Sequence, residues 1–298
     1  MRKKLLSLIM GIIVLFATCH IPTSAEEIFY KNERGGTLTK KQYEYITKYI
    51  SADELEMFNS EEFEYLMSHI SKEDIHTDEK FVMSTEKCDG TLLNEKYISK
   101  KEMIDYFNGT SRAINSSWAL SRDDTVNTNM KHIVMKMYQV APSVKKVYVD
   151  CKWLSLPKTR SYDIIAVRTG QNAVIINSND AKNVYGKQIY DGNVIDYDYT
   201  SNRVKIKGAG VGLSTNIVDS VSRSLEVKLD VTFGSGEDTL TVYGTYQHSV
   251  DDISLAKSQK YTFDYSGMGH VLKFTSNTVK KSYDDTPGLQ VSGSINNY

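Results

Sequence analysis

The spacing of apolar positions changes partway along the chain. From Leu38 to Phe107 apolar side chains recur three and four residues apart, at Leu38, Tyr43, Ile46 and Ile50, at Leu55 and Phe58, and at Phe63, Leu66, Met67 and Ile70. That spacing places them on one face of short amphipathic helices. Ser51 with Glu54, Asn59 with Glu62 and Ser99 with Glu102 fit helix starts, where a short polar side chain caps free amides and an acid three residues on reaches back. The last of these helices is expected over about 100–107, and 84–94, which contains Asp89-Gly90, reads as a loop.

Beyond about Met130 the period becomes two. Leu225, Val227, Leu229, Val231 and Phe233 alternate with Glu226, Lys228, Asp230 and Thr232, the pattern of a half-buried strand. Further strands are expected at Val147–Trp153, Val204–Ile206, Leu240–Tyr246, Tyr261–Phe263 and Leu272–Phe274. Between them lie turn sequences at Gly170-Gln171-Asn172, Asp191-Gly192-Asn193, Ser201-Asn202, Gly234-Ser235-Gly236 and Ser266-Gly267-Met268-Gly269. Strands joined by short turns predict antiparallel sheets in a sandwich or a barrel-like closure. The expected fold class is therefore α+β, mainly β: a helical N-terminal region over 26–125, then an antiparallel β domain over 126–298.

The first 25 residues stand apart. Arg2, Lys3 and Lys4 precede an apolar run from Leu5 to Ala17, too short to span a bilayer, and Thr23-Ser24-Ala25 has the small residues that signal peptidase requires. Export with cleavage after Ala25 is expected, giving a secreted, extracellular chain. Lipidation at Cys19 is the lesser alternative, because Phe16-Ala17-Thr18 departs from the usual lipobox. Removing the signal leaves 33 cations against 37 anions, a formal charge of −4. No basic block remains to attract phosphates, so no nucleic-acid partner is expected, and no second apolar stretch could anchor the mature chain as an integral membrane protein. Cys88 and Cys151 form an even pair, suited to a disulfide in an oxidising compartment.

Motifs for chemistry are scarce. The chain has no Gly-x-Ser-x-Gly elbow, no His-Glu-x-x-His and no paired Cys-x-x-Cys, so neither cofactor nor metal is expected. Gly208-Ala209-Gly210-Val211-Gly212 lacks the last glycine of a dinucleotide fingerprint and reads as a bulge or a close backbone approach. Asp191, Asn193 and Asp196, or Asn177, Asn179 and Asp180, could offer loop oxygens to calcium, but Asx-rich turns explain both. Asp196 and Asp198 share one face of a strand and are the weak catalytic candidates of a secreted hydrolase.

Twenty tyrosines against nine phenylalanines and two tryptophans is a balance suited to wet contact surfaces. Tyr197 and Tyr199 fall opposite the two aspartates, with Tyr190 just before them, and are the candidate ligand-binding side chains. The leading functional expectation is an exported, non-catalytic binding protein that recognises a cell-surface, cell-wall or glycan component or a protein partner. A hydrolase is one alternative. A secreted β-pore former, whose amphipathic hairpins would face lipid, is the other.

Overall fold

The computed structural model describes residues 27–71, 74–87, 89–109, 126–170, 172–178, 181–217, 224–266, 269–286 and 288–294. The expected signal and Cys19 lie outside them. The chain divides into two compact units, one ending at His69 and one beginning at Ile70. Among the described residues no helix is long and apolar enough to cross a membrane.

The first unit is a hairpin of β1 (Ile28–Lys31) and β2 (Thr37–Thr39), followed by α1 (Lys40–Ile46), a 3₁₀ turn (Ala52–Met57) and α2 (Ser60–His69). Its helix starts form as expected: the Glu54 carboxylate accepts the Ser51 N–H at 3.1 Å, while Asn59 and Glu62 exchange side-chain to backbone bonds at 3.0 and 2.9 Å. Leu38, Ile46, Ile50, Leu55, Phe58, Phe63 and Leu66 form its buried interior. Asn32 ties the hairpin to the turn, with Nδ2 donating to the carbonyls of Leu55 (2.8 Å) and Phe58 (2.7 Å) and Oδ1 accepting the Gly36 N–H (2.8 Å).

The second unit is a two-layer antiparallel sandwich. Its strands are β3 (His76–Lys87), β4 (Leu92–Ile98), β5 (Val126–Ala141), β6 (Val144–Ser155), β7 (Tyr162–Thr169), β8 (Ala173–Ile175), β9 (Asn177–Ser178), β10 (Ala181–Lys182), β11 (Val184–Tyr190), β12 (Asn193–Asp198), β13 (Val204–Lys207), β14 (Gly210–Asn216), β15 (Leu225–Ser235), β16 (Thr239–Gln247), β17 (Tyr261–Phe263), β18 (Leu272–Phe274) and β19 (Leu289–Ser294). The large sheet runs β12-β11-β15-β6-β5-β3-β4, with β8 also pairing β15, and the small sheet runs β13-β14-β7-β16-β19. Inward residues of the two sheets, including Ile133, Met135, Val149, Val227 and Leu229 from one and Ile165, Val167, Val211 and Val242 from the other, make one core.

Each sheet is also covered in part on its outer face. The β17–β18 hairpin, Ile253 just before α4 (Leu255–Ser258), and Val279 of α5 (Asn277–Lys280) contribute to a second cluster with Ile164, Ala166 and Tyr243 of the small sheet. On the large sheet α3 (Lys100–Phe107) lays Met103 and Tyr106 against Phe81, Met83, Ile98 and Met130. That second layer explains a departure from the sequence expectation. Residues 84–94 are not one loop, and helical structure does not run unbroken through the region up to 125, because β3 covers 76–87 and β4 covers 92–98, with a turn at Asp89-Gly90. Phe81, Val82 and Met83 are buried in succession because apolar clusters lie on both faces of β3, which erases the alternation that marks a one-sided strand.

The glycine run at 208–212 is a close-packing device, as expected. A methyl group at Gly210 would lie 2.4–2.6 Å from the Phe263 ring, and one at Gly212 would lie 2.3 Å from the Tyr261 hydroxyl. Gly210→Ala should therefore lower unfolding free energy by about 1–3 kcal/mol. Gly236→Ala, where nothing lies within 4 Å, should change it by about 0.5 kcal/mol or less. Urea unfolding of the two variants checks the contrast.

Candidate functional site

The side chains nominated by sequence gather around β12, at one margin of the large sheet. Tyr197 is buried in the core, donates to Gln188 Oε1 at 3.3 Å and accepts from Arg203 Nη1 at 3.4 Å. Tyr190 and Tyr199 are half-buried and pack against the same core. The exposed Asp196 lies 3.8 Å from Lys187 Nζ. Asp198 accepts the Thr200 hydroxyl (2.5 Å) and N–H (2.8 Å), bonds that hold its carboxyl below the usual carboxylate range. Among the described residues no three His, Cys, Asp or Glu side chains are arranged to hold a metal. Asp191 Oδ1 accepts the Ser224 N–H at 2.9 Å, and Asn179 and Asp180 lie outside the described residues. Cys151 is fully buried with a free thiol, and Cys88 lies outside the described residues.

A different constellation sits inside the sandwich. The strand register sets Val82 opposite both Tyr97 and Lys131, Ser84 opposite Glu95, and Lys131 opposite Trp153. Lys131 shares the parity of Ile133 and Met135 and so points into the core, where its side chain is 1% exposed. Its ammonium contacts the Asp284 carboxylate, donates to Thr286 Oγ1 at 2.7 Å and lies 3.7 Å from Glu95 Oε2. It also sits 5.6 Å from the centre of the Trp153 ring and 5.8 Å from that of Tyr246, both electron-rich faces. Burial opposes the charge on Lys131, but Asp284 and Glu95 outweigh it and hold its pKa above the ordinary lysine value. Burial and the neighbouring Asp284 push the Glu95 carboxyl up to about 7.

A second buried ionic group abuts the first. His248 Nδ1 lies 3.0 Å from both Asp163 oxygens, and its Nε2 lies 3.7 Å from Glu86 Oε1. Asp163 also accepts from the Tyr246 hydroxyl (2.5 Å) and the Ser249 N–H (2.8 Å), and Trp153 Nε1 donates to that same Tyr246 oxygen at 3.1 Å. The two groups join at Asp284, whose Oδ1 accepts the His248 N–H at 3.0 Å. Burial disfavours the imidazolium, yet Asp163 and then Glu86 outweigh it and raise the His248 pKa to about 9.

The signal for this constellation was parity. Glu86, Lys131 and Asp163 are polar residues on the inward parity of apolar strands, and His248 continues that parity one residue past β16, where an unpaired charge is too costly to keep. A search for catalytic motifs passes over them because they are contributed by different strands.

The other margin of the large sheet carries an open groove of about 460 Å³ lined by Glu79, Lys80, Phe81, Tyr97, Ile98, Ser99 and Lys100. It lies at β4, the last strand of the sheet order. Leu93 (49% exposed) and Tyr97 (48%) on β4, with Ile104 and Phe107 on α3, add exposed apolar surface.

No family model and no curated protein matches the chain. Among solved structures it resembles the collagen-binding domain of a surface protein of Erysipelothrix rhusiopathiae (7% identity, 57% of this chain and 66% of that one, TM-score 0.26). It also resembles the N-terminal domain of a Streptococcus gordonii adhesin (10% identity, 51% and 28%, TM-score 0.26) and a major pilin subunit of Bacillus cereus (10% identity, 56% and 59%, TM-score 0.23). The chain spans less than two thirds of the length of each.

The His248 pair fixes a pH dependence. A group whose pKa is higher folded than unfolded stabilises the fold below its unfolded pKa and loses that contribution as pH rises through its folded pKa. For His248 the window runs from 6.5 to about 9. Stability should fall by about 3 kcal/mol across it. His248→Gln should lack that decline, as urea unfolding midpoints between pH 6 and 9.5 would show.

Proposed function

We propose that the chain is an exported, non-catalytic binding protein that engages a protein partner on a cell surface. The observation that carries this reading is the margin of β4, where a groove, a strand edge that pairs with no further strand among the described residues, and exposed apolar side chains coincide. A sheet edge offers a row of backbone donors and acceptors to an extended polypeptide, and alternate side chains of that segment find apolar contact beside it. A protein segment uses both features, whereas a sugar ring would use only the aromatic one. The expected signal at 1–25 supports export. The ionic groups around Lys131 and His248 are buried in the sandwich, away from a soluble substrate, and this supports a role in binding.

Co-sedimentation of the purified chain with whole bacterial cells, isolated walls, protease-stripped walls, insoluble polysaccharides and liposomes tests the reading. Saturable pelleting that protease treatment abolishes and soluble sugars leave intact is the expected result. Leu93→Asp, which removes exposed apolar surface from β4, should weaken it by about tenfold or more. Reversal by a soluble sugar would make the ligand a glycan. Liposome pelleting with dye release would favour the pore former, and a protein that stays in the supernatant throughout would remove the reading.

A further inference from the structure

The interior constellation holds the three parts that a side-chain condensation needs. A primary amine, Lys131 Nζ, touches an oxygen of the Asp284 carboxyl, and each of the two side chains is 1% exposed. A second carboxyl, Glu95, stands 3.7 Å from the same nitrogen. Three strong fixings hold this geometry. Asp284 Oδ1 accepts the His248 N–H at 3.0 Å, the Asp284 N–H donates to the His248 carbonyl at 2.9 Å, and Thr286 Oγ1 accepts from Nζ at 2.7 Å. A nucleophile and an electrophile held in contact have already lost the entropy that would otherwise oppose their meeting.

The surroundings favour neutral products. An ammonium and a carboxylate enclosed by Trp153, Tyr246 and the apolar core have given up their hydration, and an uncharged amide in their place removes that cost. The Lys131 ammonium is stable only while the Asp284 carboxylate remains beside it. Transfer of its proton within the contact yields an amine and a carboxylic acid without help from water.

We propose that Lys131 and Asp284 are joined in the folded protein by a side-chain amide bond between Nζ and Cγ, made by the fold itself with Glu95 as the proton carrier. One proton passes from the ammonium to the Asp284 carboxylate, leaving a lone pair on Nζ. That pair attacks Cγ, and charge collects on Oδ1, where the His248 N–H already points. Glu95 then gives its proton to Oδ2 and takes one from Nζ. The Cγ–Oδ2 bond breaks with its electron pair, and water leaves. The nitrogen keeps one of its three protons, two depart in the water, and Glu95 ends as it began. The carboxyl, pushed up to about 7 by burial and Asp284, can both give and take a proton near neutral pH, as this carrier must.

The link would close a loop between positions 153 residues apart. The test is the intact mass of the purified, denatured and reduced chain, with its N-terminus located by peptide mapping. The expected result is a mass one water below that of the sequence, together with a branched peptide containing Lys131 and Asp284. Lys131→Arg and Asp284→Ala should each show the full mass, with a thermal midpoint lower by about 10–20 °C. Glu95→Gln keeps the shape of the site without a transferable proton and should also show the full mass. Wild-type protein at the full mass overturns the proposal. So does a water loss mapped elsewhere, such as a succinimide at Asp89-Gly90 or Asp191-Gly192. A Glu95→Gln protein that still lacks one water would overturn the role of Glu95. Masses are read after denaturation, so a variant that folds poorly still reports.

Discussion

An ammonium group sealed between two sheets sets the terms for one end of the sandwich. Lys131 cannot reach water, so every donor and charge it carries must be met from within. The Asp284 carboxyl, the Thr286 hydroxyl, the Glu95 carboxyl and two aromatic faces meet it. Each comes from a different part of the chain, and so β4, β5, β6, β16 and the segment before β19 must all be in register before the lysine is satisfied. A buried pair of this kind is weak evidence for stability, because apolar side chains of similar volume would often do as well. Its effect is on uniqueness: a one-residue slip of β5 would turn Lys131 outward and drive His132 in.

The second ionic group extends the same requirement to the small sheet. Asp163 on β7 and His248 just after β16 are neighbours across the ladder, and the backbone of His248 grips the carboxyl that Lys131 touches. Trp153 and Tyr246 couple the layers directly, since the indole N–H reaches the phenol oxygen that in turn donates to Asp163. The chain thereby closes one end of its core with polar bonds while the middle relies on Val, Ile, Leu and Met packing.

Much of this architecture is written in the local pattern. The β15 sequence alternates because one face meets the core, where its inward residues are all buried, and the other carries Glu226 and Lys228, although Asp230 and Thr232 on that outer face are covered as well. The helix caps at Ser51, Asn59 and Ser99 are equally legible, since a cap depends on residues only three positions apart. β3 is not, because its consecutive Phe81, Val82 and Met83 satisfy two different clusters, and nothing local reveals the second one. The tyrosines around β12 carry a composition suited to contact surfaces, yet Tyr197 lies in the core. Which face of an edge strand is covered depends on strands distant in sequence. The Lys131 constellation was half visible. Its members lie on inward parities, but their meeting needs the full sheet order.

The position of Asp284 also bears on how the sandwich would carry tension. β19 joins the small sheet through β16, so a pull on the chain past residue 294 opens that ladder pair by pair. It then arrives at Asp284, held by the His248 amide on one side and by Lys131 on the other. With the two side chains joined, the strain would pass directly into β5, the longest strand of the large sheet and hydrogen-bonded along both its edges. The 153 positions that separate the two residues along the chain would be bypassed by the force, leaving most of the sandwich slack while the end of it bears the strain.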